Sequence, residues 1–181
     1  MKLKLLILIL ALQTAWILGT TLVQERALAS GKLVLLETRP VDPRDLLRGD
    51  YVILNYRISD VALDLFSPPQ TNGLLPGQTV YVALEPRGQF FQVALASTNP
   101  ITPADGQVVL KGRTQSWWTG NSRRTVHVEY GLERYYVREG TGRPSGKLTV
   151  EVAVPESGQG RIKQVFVDGK SYAEAVQGTV R

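Results

Sequence analysis

The sequence predicts an all-β protein: an antiparallel sandwich or partly closed barrel of about 8–10 strands, preceded by an N-terminal transmembrane helix. Three observations predict it. After Ser30 no stretch keeps apolar residues at helical spacing for more than about ten residues. Short runs rich in Val, Tyr and Phe recur there between Gly, Pro, Asn and Asp, the pattern of strands separated by turns. Ahead of them lies an apolar stretch from Leu5 to Leu22.

Residues 1–29 read as a signal-anchor or transmembrane segment, and residues 30–181 as an exported β domain. Lys2 and Lys4 form the basic leader. The apolar stretch is 18 residues long, whereas a cleavable core usually has about 7–15 and a bilayer needs about 20. Length favours a retained single-pass anchor in the cell membrane, with the C-terminal domain outside because positive charge stays inside. Ala27-Leu28-Ala29 is an A-x-A triplet, so cleavage after Ala29, giving a secreted or periplasmic domain, is the alternative.

In the exported part, strands are expected at Lys32–Thr38, Tyr51–Ser59, Thr79–Glu85, Gln89–Ala96 and Gln107–Arg113. Further strands are expected at Arg124–Tyr130, Tyr135–Arg138, Lys147–Val154 and Arg161–Val167. Leu148, Val150, Val152 and Val154 alternate with polar residues, as a half-buried antiparallel strand requires. Glu85-Pro86-Arg87-Gly88 reads as a tight loop between two strands. Val167-Asp168-Gly169-Lys170 carries the Asp-Gly hairpin signal and implies a last strand near Ser171–Ala175. The long segment 66–78 holds several Pro and Gly and is either a mobile flap or a plain surface connection.

Composition narrows the function. The chain has 181 residues and no cysteine, which excludes disulfides, a thiol nucleophile, a thiolate metal site and a lipoprotein anchor. Net charge is +5 overall but only +3 from Ser30 onward (18 Lys and Arg against 15 Asp and Glu). That mixed-sign surface is not a nucleic-acid stripe.

The most distinctive segment runs from Asp42 to Tyr56. Asp42 suits the cap of a short helical turn, Pro43 its first position and Gly49 its left-handed stop. From Tyr51 the chain alternates, with Val52, Leu54, Tyr56 and Ile58 facing the core. The buried Tyr56 hydroxyl then needs one hydrogen-bond partner. Asp42, Pro43, Gly49, Leu54 and Tyr56 are therefore structural. Asp50 is expected to accept backbone N–H groups or to pair with Arg44 or Arg48. Tyr51 and Arg57 take the opposite face.

Gly49-Asp50-Tyr51-x-x-Leu54-x-Tyr56 resembles the signature of the bacterial GDYXXLXY family. A second block, Tyr130-Gly131-Leu132-Glu133-Arg134-Tyr135-Tyr136-Val137-Arg138-Glu139-Gly140, is similar to that family too, with Arg138 where Pro is commoner. With the Val167-Asp168-Gly169 turn, the resemblance spans residues 32–170. It implies no established reaction. It does imply a membrane setting, because members are often encoded beside multi-pass membrane proteins.

No catalytic set stands out. A serine–lysine protease needs a desolvated lysine, but Lys111, Lys147 and Lys163 fall on polar faces or beside turns. His127, the single histidine, lies opposite Val126 and Val128 and reads as a surface or groove residue. A lone histidine without thiols makes no standard zinc site. Glu129, Glu133 and Glu139 among tyrosines and Trp117-Trp118 raise glycan binding or hydrolysis as an option. The expectation is a non-enzymatic accessory or assembly module for a multi-pass membrane protein, with no cofactor and no metal. The rival is an envelope barrel binding a glycan or small molecule, or an unrecognised hydrolase. Asp50, Tyr51, Arg57, His127, Glu133 and Tyr135 form the candidate functional patch.

Overall fold

The computed structural model describes residues 2–39, 51–69, 74–115, 125–137 and 146–177. The chain begins with helix α1 (Lys2–Ser30). Eleven strands follow among the described residues: β1 (Lys32–Glu37), β2 (Tyr51–Ile53), β3 (Asp60–Ala62), β4 (Thr79–Arg87), β5 (Phe90–Ser97), β6 (Val108–Thr114), β7 (Thr125–Glu129), β8 (Arg134–Tyr136), β9 (Leu148–Val154), β10 (Arg161–Val167) and β11 (Lys170–Ser171). Helix α2 (Tyr172–Gln177) comes after them. The architecture is all-β with one N-terminal apolar helix, as the strand spacing predicts.

The strands make ladders in the orders β1-β9-β10-β11, β2-β8 and β3-β7-β6-β4-β5. The last of these nearly closes into a barrel. Phe66, shortly after β3, bridges to Ala96 on β5, and the Ser67 N–H donates to the Ala96 carbonyl at 2.8 Å. The two edge strands of that sheet are thus tied together, which removes exposed edges. A Thr38–Tyr56 bridge joins the end of β1 to the chain leaving β2. The Leu54 N–H, donating to the Glu133 carbonyl at 2.8 Å, extends the β2–β8 pairing.

Alternation supplies the core. Val34 and Leu36 on β1, Val80, Val82 and Leu84 on β4, Leu110 on β6 and Val150 and Val152 on β9 belong to one buried cluster. Leu148, Val150, Val152 and Val154 are all buried, as their spacing requires. Burying each such side chain stabilises the fold by about 1.5–3 kcal/mol.

Three expectations needed correction. The strand foreseen at Tyr51–Ser59 stops at Ile53, and Arg57–Ser59 is a single 3-10 turn. The alternation persists, with Val52, Leu54, Tyr56 and Ile58 all buried. The pairing partner, however, changes from β8 to β1, and the chain then turns so that Asp60–Ala62 can pair with β7. The loop foreseen at Glu85–Gly88 is mostly strand: Glu85, Pro86 and Arg87 pair with Gln92, Phe91 and Phe90, and Gly88 (φ 67°) starts the turn. Pro86 is tolerated because β6 pairs with β4 only as far as Leu84, so no ladder donor is needed beyond it.

The last strand foreseen at Ser171–Ala175 is a two-residue strand followed by α2. The reason is a capping box. The Ser171 N–H donates to the Glu174 carboxylate at 3.2 Å, and the Glu174 N–H donates to the Ser171 hydroxyl at 3.4 Å. The Asp168-Gly169 hairpin is as expected, with φ 48° and 82° at its two central residues.

Candidate functional site

The structure brings together two carboxylates that each bridge two nitrogen-bearing side chains, and sequence reasoning had singled out only part of this set. Glu37 is the last residue of β1, pointing away from its buried neighbours Leu36 and Thr38. Its carboxylate accepts from Arg57 Nε at 3.0 Å and lies 2.5 Å from Lys147 Nζ. Asp60, the first residue of β3, stands opposite His127 on β7 in the ladder register. Its carboxylate is 2.7 Å from His127 Nδ1 and also pairs with Arg39. Glu37, Arg57 and Asp60 border a hollow of about 250 Å3 closed on the other side by Phe90 and Phe91 of β5.

The electrostatics follow from that pairing. Burial pushes the Asp60 carboxyl up, but the His127 hydrogen bond and the Arg39 guanidinium outweigh it, so Asp60 titrates below the ordinary carboxylate value. A carboxylate on Nδ1 fixes the orientation of the imidazole and leaves Nε2 for other work. Among the described residues no hydroxyl hydrogen-bonds to that ring. Asp60 therefore positions the imidazole, with no nucleophile attached to it among the described residues. No group of three or more His, Asp or Glu side chains suited to a metal ion is present among the described residues.

The remaining predicted residues go elsewhere. Tyr51 on β2 packs against Tyr136 with ring centroids 5.9 Å apart, and the Arg134 guanidinium sits 5.4 Å from the Tyr51 centroid. Tyr136 is 71% exposed, so this ladder of two rings and a guanidinium faces solvent. Tyr135 points to the other face and meets Tyr172 edge-on at 5.6 Å. Glu133 turns back on its own chain and accepts the Tyr130 N–H at 2.6 Å. Arg57 and His127 thus meet at Asp60, Arg57 beside it in the hollow and His127 bonded to it, whereas Tyr51, Glu133 and Tyr135 do not line that hollow. Asp50 lies outside the described residues, as do Asp42, Pro43 and Gly49, and also Trp117, Trp118 and Glu139.

Leu54 and Tyr56 are packing residues. Leu54 is fully buried. Tyr56 is also buried, and its hydroxyl donates to the Leu132 carbonyl at 2.8 Å, the one partner expected of it. Tyr130 does the same on the other side, donating to the Ile58 carbonyl at 2.8 Å. Burial, reinforced by the Glu133 charge, raises both phenols well above the usual tyrosine value. The two motif blocks are therefore stitched together through reciprocal tyrosine-to-backbone bonds.

Glu37, Asp60, Arg39 and Lys147 escaped the sequence reading because acids and cations on strand exteriors look like ordinary solvated faces. The one available signal was Glu37-Thr38-Arg39, which alternates charge about a buried residue at a strand end.

The model of a family described as GDYXXLXY protein matches residues 13–165. No curated protein and no solved structure matches the chain.

Proposed function

The chain belongs to the GDYXXLXY family, and from that premise we propose that it is a membrane-anchored, extracytoplasmic β domain that serves a membrane-protein partner as a non-enzymatic accessory or assembly module. α1 holds the domain at the cell membrane by a single pass, with the N-terminus inside.

The observation that carries this reading is in α1. Leu3–Val23 is long and apolar enough to cross a membrane, and none of it is buried against the domain. Those 21 residues rise about 31 Å at ~1.5 Å each, close to the ~30 Å hydrocarbon thickness. The threonines in it are inexpensive in lipid because each satisfies its hydroxyl within the helix. Thr14 donates to Leu10, and Thr20 and Thr21 both donate to Ile17, all at 2.9 Å. Gln13 differs. It sits midway between Leu3 and Val23, and its amide has no hydrogen-bond partner among the described residues. An unsatisfied amide at the bilayer midplane costs several kcal/mol, and amides there bond across helices. A neighbouring transmembrane helix supplies what Gln13 lacks.

The domain side fits the same reading. Arg39, Arg57 and Lys147 are tied to carboxylates, and Tyr136 offers an exposed aromatic contact. Affinity purification of the full chain from native membranes is the test. A multi-pass protein recovered in constant ratio is expected; a lone, monodisperse chain would overturn the proposal.

A further inference from the structure

Lys111 and Arg113 on β6 and Arg161 at the start of β10 open onto one cleft of about 460 Å3, whose walls include Glu129, Glu133 and Gln159. Ion pairs elsewhere take up Arg39, Arg57, Arg87, Lys147 and Lys163, while Lys32, Arg134 and Lys170 form none among the described residues. The three cleft cations form no ion pair among the described residues, although two carboxylates line the same cleft; the Lys111 ammonium lies 5.9 Å from the Tyr81 ring centroid, which leaves Arg113 and Arg161 as the cations without such a contact.

Those carboxylates are held by neutral donors instead. Glu133 accepts the Tyr130 N–H at 2.6 Å, and Glu129 accepts from the Gln115 amide. Each retains lone pairs for a further donor. With three cations against two carboxylates, the cleft is net positive by one charge.

The walls are built rather than draped. The Lys111 N–H donates to the Gly158 carbonyl at 2.8 Å, which pins the turn between β9 and β10 against β6. Gly112 and Gly160 fix the walls from behind: a Cβ on Gly112 would come within 2.8 Å of the Glu129 carbonyl oxygen and one on Gly160 within 2.8 Å of Leu110 Cδ2, so both glycines let the walls pack tightly on the core.

We propose that this cleft binds an anionic carbohydrate, a hydroxyl-rich ring bearing a phosphate or carboxylate. Lys111, Arg113 and Arg161 take the oxyanion, for which arginine forks are geometrically suited. Glu129 and Glu133 accept hydrogen bonds from the ring hydroxyls. No residue of α1 lines the cleft, so its occupancy does not depend on what the helix meets in the membrane.

The test is titration of the full chain, held in detergent micelles, with glucose 6-phosphate, glucuronate, glucose and inorganic phosphate. At least one of the two anionic sugars binds saturably, and which of them does so separates phosphate from carboxylate as the anion. Neutral glucose and inorganic phosphate each bind at least about tenfold more weakly than it. Arg113→Gln and Arg161→Gln, at exposed positions outside any ion pair among the described residues, each weaken binding about tenfold and keep the fold by circular dichroism. Lys163→Gln, which breaks a pair with Glu151 elsewhere, leaves affinity unchanged. Failure of both anionic sugars to bind, binding that survives both arginine substitutions, or phosphate binding as tightly as the sugar phosphate would each overturn the proposal.

Discussion

Tyr56→Phe and Tyr172→Phe remove the same atom from two buried rings, and the structure predicts opposite outcomes. Tyr56 donates its hydroxyl to the Leu132 carbonyl at 2.8 Å. Without it that carbonyl loses its side-chain donor inside the core, a loss of about 1–3 kcal/mol. For a protein of this size each kcal/mol moves the melting temperature by about 2–4 °C, so Tyr56→Phe should melt about 2–12 °C lower. The Tyr172 hydroxyl is also buried, yet it has no hydrogen-bond partner among the described residues. Its desolvation is already an uncompensated cost, and Tyr172→Phe should lose nothing and gain up to about 1 kcal/mol. The assay is thermal and urea unfolding of the full chain in detergent, followed by circular dichroism. Equal losses in the two variants, or a stable Tyr56→Phe beside a weakened Tyr172→Phe, would refute the reasoning that Tyr56 stitches the two motif blocks together.

Other consequences are open to measurement. The Asp60 carboxyl titrates below its ordinary value of 3.8, so its pairing stabilises the fold above that value and the contribution is lost as pH falls through the lowered one. Asp60→Asn should therefore be less stable at neutral pH and show a flatter acid limb in urea midpoints taken against pH, and parallel curves would contradict this. Gly112→Ala places a methyl within 2.8 Å of the Glu129 carbonyl oxygen and should cost about 1–3 kcal/mol; an unchanged melting temperature would mean that β6 and β7 shift apart freely. Gln13→Leu should reduce recovery of the membrane partner without altering the unfolding of the β domain, and full recovery would remove the midplane amide from the account.

The fold was largely legible, because period-two alternation survives wherever one face of a strand is buried. β9 is the clearest case: Leu148, Val150, Val152 and Val154 read as one face and form one. Alternation also placed Val52, Leu54, Tyr56 and Ile58 in the core, although it could not show that the ladder partner changes partway along them. Side-chain direction is a local property, whereas pairing depends on residues far away in sequence. Ser171-Tyr172-Ala173-Glu174 was readable in principle, since a capping box is a local signal; the hairpin ahead of it drew the reading toward a strand. β3 was missed because a three-residue strand is too short for alternation to show.

The candidate site was far less legible. Asp60 and His127 are 67 positions apart, and only the antiparallel pairing of β3 with β7 sets them side by side. Pairing of β1 with β9 does the same for Glu37 and Lys147, and packing of one sheet on another does it for the cleft cations on β6 and β10. Each looked like an ordinary exposed charge, and each acquires meaning from whether the fold supplies it with a partner. The motif shows the reverse. Leu54 and Tyr56 stood out as sequence and prove to be interior packing, with Tyr51 left on the outer face beside Arg134 and Tyr136.

Everything proposed for partner recruitment depends on the domain working while α1 still holds it. Intact mass of the chain recovered from carbonate-washed native membranes measures this most directly. The account predicts a membrane-retained species that includes Leu3–Val23. A soluble species beginning at Ser30 would contradict it.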